Sequence, residues 1–421
     1  MSNNIQLNLS SFLEKGILSN DSHLEIPKLK KKFWNNFKNN EKYLTIRYNK
    51  SELLKNDYLD TGLLRSLIVN ARKSKVIGYS PPKSLNYYDN IPFFNNQFMS
   101  EDMYAEEYVD GTMINLFWDE NISLSDKSIK GDWEIATKSC VGANIGFYLH
   151  SNSKTFRQMF LEACNDCNFD FNLLPRVSKD NNQLCYSFVL QHKENRIVVP
   201  YSKNSLYLIE VYEIIQKESS LHIQLYDKEK DEDEIYKKLE STTIQYPVIY
   251  QTKVNTDELK NKLIDEYASR NSLYHIQGLV FKKRNDFTRI KIRNPIYEEV
   301  RRIRGNEPKI QFRYLTLRQQ GKLKEYLKYY PEDGKSFSVF RKQLHDYTNS
   351  LYFNYVQCFI KKQKPILEFP YKYRNHMVEL HKYYINVLQP NKYITKYEVI
   401  QYINNLTPPQ QMFVLNFDMR K

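Results

Sequence analysis

The chain has 421 residues, with 62 Lys and Arg against 49 Asp and Glu, a formal charge of +13 and a pI near 9.1. That length predicts two or three domains, and a composition 41% hydrophobic and 14% aromatic excludes a disordered chain, because so much apolar surface closes a core. Five cysteines exclude a disulfide framework, no run reaches the ~18 apolar residues of a bilayer span, and Met1-Ser2-Asn3-Asn4-Ile5-Gln6 lacks the charged-then-apolar order of a signal peptide, so a soluble, cytoplasmic protein with no membrane partner is expected.

Between about residue 40 and 295 the chain carries short β-rich runs at 64–70, 113–118, 187–191, 197–200, 206–212 and 278–282, bounded by polar turns. Several short strands with few long helices predict an α+β domain of antiparallel sheets rather than a doubly wound parallel sheet. The acidic stretch 227–234 reads as a solvated loop or a helix start. From Leu323 the period changes: Leu323, Tyr326, Leu327 and Tyr330 fall at helical spacing, as do Phe337, Phe340, Leu344, Tyr347 and Leu351. Pro331-Glu332-Asp333-Gly334 divides this helix pair, with Ser336 placed to cap the second member. Further helices are predicted over 374–388 and 395–405, the latter ending at Pro408-Pro409. The expected organisation is a segment 1–90 whose later strands pack on a domain 91–298, then a basic, mainly α-helical domain 299–421.

Charge follows that division. Residues 301–421 hold 22 basic and 9 acidic side chains, whereas residues 1–300 hold 40 of each. A neutral body with a cationic helical domain points to a polyanionic partner, and nucleic acid is the commonest. A solvated helical domain with no such partner is the competing reading. Candidate nucleic-acid contacts are Arg301, Arg302, Arg304, Lys309, Arg313, Arg318, Lys322 and Lys324, interleaved with Tyr314, Tyr326, Tyr329 and Tyr330 that could stack on unpaired bases. Tyr326 and Tyr330 share the face of Leu323 and Leu327, which favours a core role for both.

Two other groups invite a metal reading. Cys164 and Cys167 have the spacing of half a zinc site, but neither His150 nor Cys185 lies at an interval that completes it. His376 and His381, five apart, do not share a helix face and read as surface groups.

The chemistry-bearing motifs come in a definite order. Asp110-Gly111-Thr112 precedes an apolar strand; then follow Ala136-Thr137-Lys138-Ser139, Asn195-Arg196-Ile197-Val198-Val199, Leu208-Ile209-Glu210-Val211-Tyr212, Gln277-Gly278-Leu279-Val280-Phe281-Lys282 and Arg289-Ile290-Lys291-Ile292-Arg293. In the last, Lys291 and Arg293 alternate with Ile290 and Ile292, so both cations face one way from a strand.

Over roughly residues 60 to 300 this series resembles the nucleotidyltransferase motifs of ATP-dependent ligases and mRNA capping enzymes, most closely the phage-type RNA ligase 1 family. Tyr186-Ser187-Phe188-Val189-Leu190-Gln191-His192 and the helical tail also resemble RNA-ligase-like proteins of large nucleocytoplasmic DNA viruses. The resemblance implies a ligase-type nucleotidyltransferase domain in which a lysine two residues before Asp-Gly attacks the α-phosphate of ATP. Here that position is Tyr108, a phenol with an ordinary pKa near 10 that is mostly protonated at neutral pH. A carboxylate is also expected near Ser187, for which Glu210 could partly substitute, and another at Gln277, where an amide cannot supply charge for Mg²⁺. By resemblance, Arg65, Lys83, Asp110, Gly111, Lys138, Lys282, Lys291 and Arg293 form the nucleotide- or phosphate-binding side, with Lys138 a basic wall of the cleft. The expectation is therefore a catalytically inactive RNA-ligase-like protein that binds RNA or nucleotide phosphates and requires no cofactor. Two alternatives stand beside it: an active RNA ligase using ATP, Mg²⁺ and a displaced nucleophile such as Lys138, or a scaffold subunit of a viral transcription, replication or virion assembly with viral protein partners. Either way the resemblance implies the host cytoplasm, a viral factory or the virion.

Overall fold

Burial on both faces, rather than alternation, marks the central strand of the protein. In the computed structural model, Gln183–Gln191 runs between Ser205–Gln216 and Thr112–Ser123, antiparallel to both, and Leu184 to Val189 are buried without a break. Its even-numbered residues Tyr186, Phe188 and Leu190 meet Phe160 and Ala163 of the helix Phe156–Asp166, while Cys185 meets Tyr79 and Tyr212 on the opposite face. A strand covered on both sides has no polar face to show, so it reads as a continuous apolar run.

The structure describes all residues except 1–5, 20–26, 36–41, 55–56, 58–60, 124–129, 147–152, 228–232, 285, 308, 391 and 421. It divides into two units, Met1–Arg301 and Arg302–Lys421. In the first, seven antiparallel strands lie in the order Leu7–Asn8, Leu221–Leu225, Ser205–Gln216, Gln183–Gln191, Thr112–Ser123, Lys130–Thr137 and Cys140–Val141. An antiparallel four-stranded meander, Leu29–Asn35, Lys42–Tyr48, Leu67–Asn70 and Lys75–Tyr79, packs Leu44, Ile46, Leu67 and Val76 against Phe117, Ala136 and Ile214 of the larger sheet. A third sheet takes the order Ile249–Gln251, Met103–Glu107, Gly278–Lys283, Arg289–Arg293 and Leu85–Asn86, antiparallel except at its last pair. Its apolar face, Ala105, Leu279, Phe281, Ile290 and Ile292, is covered by Phe94, Phe98 and Leu263, the last from the helix Asp257–Tyr267. The first unit is thus α+β with antiparallel sheets, as the short runs imply.

The second unit is helical: Ile310–Gln319, Leu323–Tyr329, Gly334–Tyr355, Tyr371–Tyr383, Lys396–Asn405 and Pro408–Leu415. Tyr326 and Tyr330 are core residues, and so is Tyr314, which packs on Phe337. Several expectations need correction. The second member of the helix pair begins at Gly334 with no side-chain cap, so Ser336 lies inside it. Pro408-Pro409 opens a further helix at its first turn, where a missing amide costs nothing. His376 and His381 are half-buried, the first hydrogen-bonded to the Tyr402 hydroxyl at 2.8 Å and the second stacked on Phe359 at 4.0 Å, because they turn inward beside Met377 and Leu380. The run 197–200 is no strand; its backbone bends to donate to a carboxylate described below. Within the acidic stretch a helix, Glu234–Leu239, begins at Glu234, whereas 228–232, like His150, fall outside the described residues. Cys164 and Cys167 lie in the apolar core under the large sheet.

Candidate phosphate-binding cleft

Strand pairing brings distant cations to one place. The Tyr108 amide continues the strand Met103–Glu107 by donating to the Gly278 carbonyl at 3.2 Å, and Gly278 in turn pairs in register with Arg293. Gly278 has φ of 137°, and a Cβ there would meet the Ile292 carbonyl oxygen at 2.1 Å, so only glycine fits. With no side chain at Gly278, the Tyr108 ring and the Arg293 guanidinium approach to 5.7 Å, and an Arg293 Nη donates to the Tyr108 hydroxyl at 3.4 Å. Arg293 also pairs with Glu298 at 2.8 Å, and its Nε is buried with no hydrogen-bond partner.

The small meander supplies the opposite wall. The Tyr48 amide donates to the Leu64 carbonyl at 2.8 Å and the Lys83 amide to the Gly62 carbonyl at 3.1 Å, which ties the loops bearing Arg65 and Lys83 to the end of the strand Lys42–Tyr48. Lys138, in the turn between Lys130–Thr137 and Cys140–Val141, places its ammonium 4.0 Å from the centre of the Tyr48 ring. The result is a cluster of cations. Lys291 acts electrostatically on Tyr108, Arg293, Lys83 and Arg65, and Lys138 on Arg65, Arg47, Lys50 and Lys83.

Burial and crowded like charges perturb Lys138, Lys291 and Tyr108. Burial first, then Arg65, Arg47, Lys50 and Lys83, bring Lys138 down to about 8. Burial and the neighbouring cations also lower Lys291. Burial alone would raise the half-buried Tyr108 phenol, but Lys291, Arg293 and Arg65 together outweigh it and hold the phenol below its ordinary value. The sequence expectation of an unperturbed phenol is thereby corrected: Gly278 lets a cation reach it, a contact between residues 185 apart in the chain.

A pH dependence follows. Lys138 is lower in the folded protein than its ordinary 10.5, so between about pH 8 and 10.5 the unfolded chain binds more protons and this group's destabilising effect, full below pH 8, is lifted as pH rises. A bound polyphosphate reverses the perturbation by neutralising the cluster. Binding of tripolyphosphate near pH 8.5 is therefore expected to draw in protons, read by titration calorimetry in two buffers of different ionisation heat; identical heats in both would refute the coupling.

Other predicted site residues lie elsewhere. Lys282 is buried between Glu106 at 2.7 Å and Glu210 at 3.1 Å, and these carboxylates, against the opposing effect of burial, raise it above the ordinary lysine range. It therefore holds two carboxylates, not phosphate, and Glu210 does not stand in for a carboxylate missing at Ser187. Its ammonium also occupies the position that a divalent cation shared by Glu106 and Glu210 would need, so these residues do not fit a protein-held metal ion. Ser187 is buried and donates to Asn115 Oδ1 at 3.1 Å. Asp110 is likewise committed: its carboxylate accepts from the Tyr297 hydroxyl at 2.8 Å and from the Val199 and Val198 amides at 3.2 and 3.4 Å. Gly111 beside it, with φ of 146°, lies where a Cβ would meet the Leu190 carbonyl oxygen at 2.5 Å. Both are structural. Gln277 is half-buried, with its side-chain oxygen unpartnered.

Among the candidate nucleic-acid contacts, Arg302, Lys309, Lys322 and Lys324 are exposed. Arg301 pairs with Glu298 at 3.3 Å, and the half-buried Arg318 donates to Asn404. Arg304 and Arg313 are buried, which removes them from any phosphate-facing surface; Arg313 donates to the Glu307 carbonyl at 2.7 Å and to the Tyr326 hydroxyl at 3.1 Å. Among the described residues no group of His, Cys, Asp and Glu is arranged to hold a metal ion, and no helix is long and apolar enough to cross a membrane. The residues that sequence reasoning missed are Arg47, Lys50, Tyr48 and Glu106. Arg47 and Lys50 bracket the end of an apolar strand, which was the one available signal.

Part of this chain is similar in sequence to an RNA ligase. Over 144 residues, 31% of the chain, it is 28% identical to an RNA ligase of Rhodothermus phage RM378. The matched stretch is 29% of that ligase, so the chain spans less than a third of its relative's length. Among solved structures, an archaeal ATP-dependent RNA ligase superposes on 74% of this chain and 68% of its own, at 11% identity and a TM-score of 0.37. No family model matches.

Proposed function

We propose that the first unit is a ligase-type nucleotidyltransferase domain that binds nucleoside polyphosphates or the 5′-phosphates of RNA, and that it does so without forming a lysyl-nucleotide at the position of Tyr108. The carrying observation is a continuous cluster of cations in which Arg65, Lys291 and Arg293 act on that phenol and Arg65 and Lys83 link them to Lys138. Cations that lower one another's proton affinity are relieved by a polyanion, so the cluster gains more from a phosphate chain than scattered surface lysines would. The exposed Arg302, Lys309, Lys322 and Lys324 of the C-terminal region supply further contacts to a nucleic-acid backbone. In fluorescence anisotropy, RNA with a 5′-triphosphate is expected to bind more tightly than the same RNA with a 5′-hydroxyl, with an affinity that falls steeply as salt rises. Equal affinity for both ends would count against the cleft.

One observation favours a second reading, an active ligase with a displaced amine. Lys138 at about 8 is in part unprotonated at neutral pH, as an amine nucleophile must be. On that reading the protein seals nicked RNA with ATP and acquires an acid-labile nucleotide on Lys138.

A further inference from the structure

We propose that the Tyr108 hydroxyl is itself an acceptor for nucleotidyl transfer: its oxygen attacks the α-phosphorus of a nucleoside triphosphate held by the cationic cluster. The P–O bond to the β-phosphate breaks, pyrophosphate leaves, and the nucleotide remains joined to Tyr108 as a phosphodiester. The phenolic proton is released to solvent as the bond forms, the phenolate being favoured by the surrounding cations, and no oxidant or further reactant is needed. The inference rests on the reading of the cleft as a polyphosphate site.

Three features of the geometry carry it. First, the phenol is half-buried at the end of a strand, and Arg293 donates to its oxygen at 3.4 Å, so the nucleophilic atom is oriented beside a guanidinium that retains a buried, unpartnered Nε for a ligand. A phosphoryl oxygen bound by that guanidinium necessarily lies near the phenol oxygen, which is the proximity that a displacement at phosphorus requires. Second, the cluster is lopsided. Lys291, Arg293 and Arg65 act on Tyr108, whereas Lys138 with its neighbours Arg47, Lys50 and Lys83 extends beyond Arg65. A triphosphate whose α-phosphate meets the phenol thus has further cations for the two phosphates that depart together, and this asymmetry selects nucleotidyl over phosphoryl transfer. Third, the nearby carboxylates are neutralised or engaged elsewhere: Asp110 by the Tyr297 hydroxyl, Glu106 by Lys282 and Glu298 by its ion pair with Arg293. The same cations favour the phenolate over the phenol, against the effect of burial. An aryl phosphodiester lacks the P–N bond that protonation cleaves in a phosphoramidate, so the adduct survives acid that would release a lysyl-nucleotide.

The full-length chain is incubated with magnesium and either α-labelled or γ-labelled ATP, then denatured, treated with acid and mapped by peptide mass spectrometry. The expected result is an acid-stable label from α-labelled ATP alone, on the peptide containing Tyr108, and its loss to background in Tyr108→Phe. Mapping on the unsubstituted chain keeps the test independent of how the variant folds. Label from γ-labelled ATP, label on another residue, or an acid-labile adduct would each overturn the assignment, the last in favour of the Lys138 amine. Absence of label in a protein that still binds ATP would overturn it while leaving the cleft reading intact; absence of both label and ATP binding would remove that reading as well.

Discussion

Lys282→Met is expected to destabilise the protein by about 3–5 kcal/mol, the usual consequence of leaving a buried charge without its partner. Lys282 has a side chain only 5% exposed and neutralises Glu106, 8% exposed, and Glu210, 25% exposed. Methionine matches the length of the lysine stem but leaves two carboxylates facing each other in a low-dielectric interior, where their repulsion is poorly screened. Because Glu106 and Glu210 raise Lys282 above the ordinary lysine range, the wild-type stabilisation is fully present below the unfolded value of 10.5 and is lost only as pH rises through the folded value. The difference between wild type and variant is therefore expected to stay constant from pH 6 to 9. Thermal and urea denaturation measure it, and a second substitution, Glu106→Gln, is expected to recover part of the loss by removing one stranded charge. A variant as stable as the parent would show that the triad is not the buried ion network described above.

Lys291→Gln and Arg293→Gln carry the largest expected effects on binding. Each removes a cation from the side of the cluster nearest Tyr108, and a charge-assisted hydrogen bond of this kind contributes about 1.5–3 kcal/mol, or roughly 10- to 150-fold in affinity. Arg293→Gln also removes the nearer of the two cations on Glu298, leaving only Arg301 at 3.3 Å, so the Glu298 charge is less neutralised near the ligand as a positive one is lost. Its effect is expected to exceed that of Lys291→Gln. The double variant should fall short of the sum, since both groups grip one ligand. Equilibrium binding of tripolyphosphate and of 5′-triphosphorylated RNA, each across a salt series, reads these differences. If both variants bind like the parent, the cluster around Tyr108 is not the phosphate site.

Much of the plan was legible before any coordinates. Ile290 and Ile292 alternate with Lys291 and Arg293, and period two alone puts the isoleucines on one face and the cations on the other; the isoleucines are core and the cations half-buried opposite them. Helical spacing placed Tyr326 and Tyr330 with Leu323 and Leu327, and both tyrosines are indeed core. The run 197–200 misled because Ile197-Val198-Val199 has strand composition, yet its amides are taken by the Asp110 carboxylate, a partner 88 residues away from Val198. Arg304 and Arg313 misled for a related reason: basic composition marks a charged surface only while each guanidinium reaches solvent, and these two turn inward.

Local chemistry thus determined which residues are cationic, several of the strands and, in Arg289–Arg293, which face is apolar, because those properties depend on neighbours a few positions apart. Tertiary structure alone decided that Lys282 serves two carboxylates while Lys291 and Arg293 gather beside Tyr108, although all three sit on adjacent strands of one sheet. The physical reason is that a charge takes its role from the nearest opposite charge and from the water it has lost, and both are set by segments brought together across the chain.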